Sequence, residues 1–592
     1  MADKLRPGHY LSKNTRLYWP RYVTFYDVES DLKQDQQGRQ FFTPFLWIAC
    51  HTQWRNDYKE IVSDWQQDQS IDPFWDDLER LTYEKTTRYV VSHHVEPDFV
   101  PMQGIEQLQK RGWILGHCYK KRLTMIMRWS KGKKKLLFMN NAQILPGTIK
   151  RWGELLEIPK GKMPENRQDL DAWVTYCKRD VEIMVKSWIA LKGFIQEHNL
   201  GGFAITTAGM AMHAFKHRFM DKKVWIHSNE EALKLEREAY HGGRCEALRI
   251  GINQESDYYA LDVNGMYAQV EMKYALPVSL LGFYDNRGVR ELQLSLQKYA
   301  VIALVDVDAH DPVYPAKIGD QLEYPTGMIT VALTTGELQY AFEHDEIKAV
   351  HCYTVYRQAM LMKEYGEYFS QLKAKYTQEG NWLMRQLCKD FPNMLYGKFG
   401  QKGSKSSVIG DCDPAIFRYC DGYDTVSNER YDLLMAGGKV TKIVETPAAW
   451  DTFVAIAAHV TAYARLCLWD LMVKAGLENV YHVATDSLVV NQAGYNRLAD
   501  RIDTVKVGFL KVEQKGGRLI VYGKNDWELA GQRHLKGVQE KAEWIGENTV
   551  INTNWPGLEN WLKGTYKGQY FTEPVKKTLK RKEYHEWMSK QK

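Results

Sequence analysis

Runs of alternating apolar and polar residues alternate along this chain with stretches whose apolar positions recur at helical spacing, the mixture expected of α/β layers. Residues 22–28 alternate and predict a strand, 45–50 predict a second, and a third is expected to start at Tyr89 and run out to Asp98. Trp173, Val174, Cys177, Val181, Met184, Val185 and Trp188 share one helical face, and Asn199 with Gly201 and Gly202 should stop that helix. Farther on, 258–261 read as a strand that Asn264 and Gly265 interrupt, and 299–305 read as another. Two helices are expected at about 364–376 and after Gly380. A polar, Gly-rich stretch at 400–449 carries a hairpin signal at Gly437 and Gly438, and the β-rich runs 480–483 and 488–490 flank a polar turn.

Composition narrows this picture only a little. A length of 592 residues implies several domains at about 100–200 residues each. Lys and Arg number 79 against 73 Asp and Glu, a net charge of +6, so any nucleic-acid footprint must be a local stripe. Nine cysteines without a C-x-x-C pair fit a reduced, cytoplasmic protein without structural zinc. The first residues lack an apolar core and no run is expected to reach the 18 or so residues of a membrane span, so neither export nor a membrane partner is expected.

The pattern sets acids at the ends of elements. Asp262 falls at a strand tip and Asp486 at a hairpin apex, so two carboxylates can meet. Oxygen ligands of this kind suit paired Mg²⁺ ions about 3.5–4 Å apart, which clamp the attacking and leaving oxygens of a phosphoryl transfer. Lys389, Asn393 and Tyr396 lie at i, i+4 and i+7 on one helical face with Arg385 a turn earlier, a cationic stripe suited to a triphosphate. Near the N-terminus, Asp27 and Glu29 share one face of a strand, Asp98 follows, and Tyr176 and Asp180 lie a turn apart on the long helix. Taken singly, each acid reads as a turn or helix cap and the stripe as a solvated face; their order along the chain overrides that.

The motifs D-x-N-x-x-Y (Asp262, Asn264, Tyr267), K-x-x-x-N-x-x-Y-G (Lys389, Asn393, Tyr396, Gly397) and T-D-S (Thr485, Asp486, Ser487) resemble the three polymerase motifs of family B DNA polymerases. T-x-x-x-R at Thr461 and Arg465, and Y-x-G-G at Tyr240, Gly242 and Gly243, resemble those of its protein-primed branch from phages and linear plasmids. D-x-E (Asp27, Glu29), Asp98 and Y-x-x-x-D (Tyr176, Asp180) resemble the DEDD 3′–5′ exonuclease, which has an RNase H-like fold. The resemblance runs from Asp27 to about Lys536. It implies a multidomain α/β protein: an exonuclease domain at 1–200 and a right-hand polymerase with palm at 201–276 and 451–535, fingers at 364–400 and thumb at 536–592. Insertions would fall at 277–363, toward a terminal protein, and at 401–450, for processivity and strand displacement.

The same resemblance implies roles for single residues. Asp262, Asp486 and the Val263 carbonyl would hold two Mg²⁺ ions, for which Mn²⁺ can substitute. Tyr267 would exclude a 2′-hydroxyl, Arg385, Lys389 and Asn393 would meet the incoming nucleotide, and Tyr396 would pack on the base pair. Asp27, Glu29, Asp98 and Asp180 would hold the exonuclease metals, with Tyr176 orienting water and Lys160 or Lys162 contacting phosphate. Tyr240, Gly242, Gly243, Thr461, Arg465, His94 and Lys524 would touch DNA. His94 stands where the family has Asn, Ala484 where it has the first motif aspartate, Met394 where it has Ser, and Trp527 near the Tyr of a K-x-Y motif. Primer-template DNA, dNTPs and a terminal protein are the implied partners, and the chain would act as a monomer or as a heterodimer with that protein. Two further readings stay open: a primer-dependent polymerase without protein priming and, suggested by Ala484, a DNA-binding relic that retains only the nuclease.

Overall fold

The computed structural model describes residues 6–34, 36, 40–55, 60–121, 123–285, 287–319, 321–413, 416–425, 429–539, 542–554 and 571–579, with residues 581, 584, 586 and 589. Within the expected thumb, 555–570, Lys580 and Lys582 lie outside the described residues.

The first large sheet is built on the hairpin of Tyr22–Gln34 and Gln40–Arg55. Thr87–Ser92 and Lys134–Asn140 extend it in parallel, and Thr124–Lys131 and Ile114–Lys121 add antiparallel strands at its edge. Thr87–Ser92 is buried on both faces, Tyr89 and Val91 on one and Val90 on the other, where Arg88 and Ser92 flank it. Period-two geometry divides Tyr22–Gln34 cleanly. Tyr26 and Val28 join Trp47, Phe74, Trp75 and Phe99 in one core, whereas Val23 and Phe25 pack with Trp173, Cys177, Val181 and Trp188 of the long helix Leu170–Glu197 in another. Asp27 and Glu29 continue the second set, so their carboxylates are delivered to the helix that bears Tyr176 and Asp180.

The palm is a five-stranded antiparallel sheet ordered Cys245–Ala247, Val480–Ala484, Ser487–Asn491, Tyr258–Val263, Leu510–Gly516. The helix Val454–Ala475 runs behind it. This helix corrects one expectation, since it is long and apolar enough to cross a membrane; most of its surface is buried inside the protein, as in a core helix. The fingers are the antiparallel helices Lys363–Gln378 and Trp382–Phe399, the second running unbroken through Pro392. His198, just past the long nuclease helix, joins them: its Nδ1 and Nε2 lie 2.8 Å from the hydroxyls of Tyr368 and Tyr376.

Between palm and fingers in sequence lies a six-stranded sheet ordered His9–Tyr10, Trp225–Ile226, Leu276–Asp285, Ile347–Ala359, Ala300–Ala309, Gly327–Thr334. After the fingers, Gly403–Asp411, Lys439–Thr446, Glu429–Ala436 and Arg418–Asp424 form a four-stranded sheet, and its Phe417 and Leu434 enter the nuclease core beside Trp113 and Leu115.

Chain order and spatial order diverge in three places. Residues 9–10, within the stretch assigned to the exonuclease, pair with 225–226 in the insertion sheet instead. Phe571–Thr578, within the expected thumb, pairs with Gln40–Arg55 of the nuclease as well as with Thr549–Asn554. The third strand of the nuclease does not reach Asp98: it stops at Ser92, and Asp98 lies on the short helix Val95–Phe99. Asn140 Oδ1 accepts from the Val95 amide at 2.7 Å and holds that helix start, while Pro97 sits in the first turn, where a missing N–H costs nothing.

Candidate active sites

The four nuclease acids arrive from three elements. Asp27 and Glu29 come from the strand, Asp98 from the short helix and Asp180 from the long one; Asp27 and Glu29 are repelled by Asp180, and Asp98 by Asp27 and Glu29, through a partly buried space. Burial raises the pKa of each, and neighbouring carboxylates add to the rise for Asp27, Glu29 and Asp98. One oxygen of Asp180 pairs with Lys160, and its other oxygen is buried without a partner. Lys160 also lies 4.8 Å from the ring centre of Tyr176, so of the two lysines considered it is Lys160 that enters the site. His94 is exposed beside His93, ring centres 4.5 Å apart, at the N-cap of the Asp98 helix. Cys177 was read as core only; its Sγ lies 3.3 Å from Asp27 Oδ2, and with Asp27 and Glu29 it forms a trio of donors within 4.8 Å.

The polymerase acids meet as the strand register dictates. Asp262 opposes Ser487 across the sheet, and the Val263 amide donates to the Asp486 carbonyl at 2.7 Å, which brings the hairpin apex against the strand tip. Thr485 adopts φ 61° at the apex, a strained region for a β-branched residue. It is held there by its amide donating to the Arg244 carbonyl at 2.6 Å and by Gly243, where an added Cβ would lie 2.7 Å from Thr485 Cγ2. Burial, and then repulsion by Asp262, pushes Asp486 up to about 6; burial also raises Asp262.

Opposite these acids stands the fingers helix. Lys389 is exposed and electrostatically favours the ionised forms of both Asp262 and Asp486. Arg385 is aimed by donating to Thr377 Oγ1 at 3.1 Å, and Asn393 lies on the same face. Tyr267 and Tyr396 stack with ring centres 4.4 Å apart, joining the start of the palm helix Met266–Lys273 to the fingers. Two cations escaped sequence reasoning. Lys373 donates to Asn264 Oδ1 at 2.6 Å, and burial followed by repulsion from Arg385 and Lys389 brings it down to about 8. Lys511 lies opposite Asp262 on the neighbouring strand, its Nζ 3.4 Å from Asp262 Oδ1. Neither belongs to a local motif: Lys511 follows from the strand register and Lys373 from the packing of the fingers helix on the palm.

Three of the expected DNA contacts are corrected. Arg465 is buried, with Nη1 donating to the carbonyls of His241 and Gly242 at 3.1 and 3.0 Å and Nη2 to Glu337 Oε1 at 2.7 Å. It fixes the glycine loop from behind, because a cation desolvated this far is retained only when paired. Thr461, also buried, donates to the Ala457 carbonyl of its own helix at 3.2 Å. Lys524 donates to the Leu322 carbonyl at 2.8 Å and lies 3.4 Å from Glu323 Oε1, so its ammonium serves the hairpin at 316–323. Tyr240 packs against Gly400 at the end of the fingers helix, while Gly242 has open space beside its Cα.

Both sites suit divalent cations by their chemistry. Hard carboxylate oxygens converge in each, held partly out of water and repelling one another, and Asp180 keeps an unpartnered buried oxygen. Comparison with known proteins supports the same reading of the fold. The Phi29 DNA polymerase complexed with primer-template DNA superposes at a TM-score of 0.65 and 14% identity, covering 95% of this chain and all of that one. Its ternary complex with incoming nucleotide gives 0.65 at 13% identity over the same spans. A DNA polymerase of Kluyveromyces lactis is 23% identical over 379 residues, which is 60% of this chain and 36% of that protein, so the chain spans about a third of this relative's length. The family profile of type B DNA polymerases, organellar and viral, matches residues 134–468, from the nuclease sheet through the fingers to the helix behind the palm. With more than half of its length matched, the chain belongs to the organellar and viral type B DNA polymerases.

Proposed function

We propose that this protein is a DNA-directed DNA polymerase with 3′–5′ proofreading, working with two Mg²⁺ ions in each site. The carrying observation is that Asp262 and Asp486 meet directly beneath a helix face bearing Arg385, Lys389 and Asn393. Asp262, Asp486 and the Val263 carbonyl would hold the polymerase ions, and Asp27, Glu29, Asp98 and Asp180 those of the nuclease. Bound there, the ions supply charge neutralisation at the transferred phosphate and a metal-activated water at the cleaved one. Lys389, Arg385 and Lys373 then orient the β and γ phosphates, and the stacked Tyr267–Tyr396 pair forms the floor under sugar and base. In the nuclease, Lys160 and Tyr176 together position the terminal phosphate and the attacking water.

A groove of about 590 Å³ beside the fingers is lined by Lys13, Arg16, Lys216, Lys398 and Trp450. Cations with an aromatic platform suit single-stranded nucleic acid, and we assign the groove to the unpaired template strand. Priming by a terminal protein, strand displacement by the 401–450 sheet and a cytoplasmic site of action complete the proposal. Extension of a labelled primer-template with dNTPs and Mg²⁺ tests it. Asp486→Ala should lose extension alone and Asp27→Ala should lose 3′ trimming alone; a native chain that trims but never extends would favour the nuclease-only reading opened by Ala484.

A further inference from the structure

Lys511 belongs to no motif, yet it stands nearer to the catalytic strand tip than any cation of the fingers. It lies directly across the antiparallel pair from Asp262, where side chains share a face of the sheet. Two carboxylates compete for its ammonium: Asp262 Oδ1 at 3.4 Å, and Glu513, which it touches more closely. The register shifts at this point, Leu261 opposing Val512 but Ala260 opposing Gln514, so Glu513 is the extra residue of a β-bulge. A bulge re-aims its side chain, and here it sets a second anion beside the lysine, half exposed and away from the palm interior. Lys511 also repels Lys373, so its charge is felt in the space between palm and fingers that the triphosphate would enter.

We propose that Lys511 is a displaceable counterion of the polymerase site: its ammonium neutralises Asp262 before a divalent cation arrives and withdraws to Glu513 when one does. The inference rests on the polymerase reading above. A divalent ion binding Asp262 Oδ1 would meet the Lys511 ammonium 3.4 Å from that oxygen, so metal entry there pushes the lysine the rest of the way to Glu513. Glu513 supplies the place to which it goes. Asp262 and Lys511 are each about 30% exposed, at 28% and 30%, so their pairing is strong enough to compete with a metal and weak enough to yield. Ala484 sharpens the need, because a site with only two carboxylates gains more from keeping one of them screened until the metal is present.

The test is Mn²⁺ binding, followed by electron paramagnetic resonance without nucleotide, in a full-length chain carrying Asp27→Ala and Glu29→Ala to silence the nuclease. In that background Lys511→Met should tighten Mn²⁺ binding by about twofold to fivefold, the worth of one partly exposed ion pair. Glu513→Gln should weaken it by about threefold, and this weakening should vanish once Lys511 is already Met. Unchanged or weaker binding in Lys511→Met, or an equal Glu513→Gln effect in both backgrounds, overturns the proposal. Because Glu513 is exposed, that arm reads out even if Lys511→Met folds poorly. Asp262→Asn separates the two levels: if it leaves Mn²⁺ uptake intact and the native chain extends no primer, the polymerase reading itself falls.

Discussion

The two candidate sites use carboxylates in opposite electrostatic settings. In the candidate nuclease site four acids gather, three of them within the field of one lysine, Lys160; burial raises the pKa of all four, and repulsion adds to the rise for Asp27, Glu29 and Asp98. In the polymerase, two acids face Lys373, Arg385, Lys389 and Lys511. The first surplus is negative and suits cations alone. The second is positive and suits a cation together with a polyanion, which is what the proposed nucleoside triphosphate would bring. Reaction type is therefore legible in the balance of charge around each acid set, beyond the acids themselves.

The comparison breaks most sharply at single acids. Asp180→Ala should lower 3′ trimming by about 10³-fold while extension stays intact, since it removes a group that holds transition-state charge; quantified degradation of a single-stranded oligonucleotide checks this. Gly243→Val should slow extension by about 10–100-fold without touching trimming, because its side chain meets Thr485 and shifts Asp486. Single-turnover incorporation measures it. Lys160→Ala removes the one cation paired within the acid cluster among the described residues and should reduce trimming by about tenfold, with a steeper Mg²⁺ requirement as the unscreened acids demand more metal.

The smallest effect concerns the far face of the fingers helix. Burial raises Asp390 to about 6, above its ordinary 3.8, so the folded protein holds that proton more tightly than the unfolded chain does. Its stabilising contribution is complete below about pH 4 and is lost as pH rises through 6. Asp390→Asn should therefore melt like the native chain near pH 4 and be stabilised by about 2 kcal/mol at pH 7.5, read by calorimetry. A substitution one residue away on the proposed triphosphate face, Lys389→Met, should instead raise the KM for dNTPs at every pH.

What the sequence made legible were features whose geometry is local. Asp27 and Glu29 share a face because they are two apart on a strand, and Arg385, Lys389 and Tyr396 share one because they lie at helical spacing. Asp98 was misplaced because the apolar run through Val91 gives no sign of where the strand stops; an amide contact from Asn140 decides it. Arg465 looked like a phosphate contact because its partner Glu337 lies far away in sequence and burial leaves no trace in a motif. Lys511 was invisible for a related reason, since its position opposite Asp262 depends on a bulge in a strand pair that closes late in the chain.

The pairing of His9–Tyr10 with Trp225–Ile226 bears on how the molecule is made. Roughly two hundred residues separate the partners, and a ribosome adding about 5–20 residues per second needs about 10–40 s to span them. During that interval the hairpin of Tyr22–Gln34 and Gln40–Arg55, the parallel strands beside it and the long helix Leu170–Glu197 are synthesised, while the first strand waits for its neighbour. Most of the first large sheet is thus available before its flanking partner, whereas the edge strand Phe571–Thr578 and the core side chains Phe417 and Leu434 can join it only when far later residues have been made.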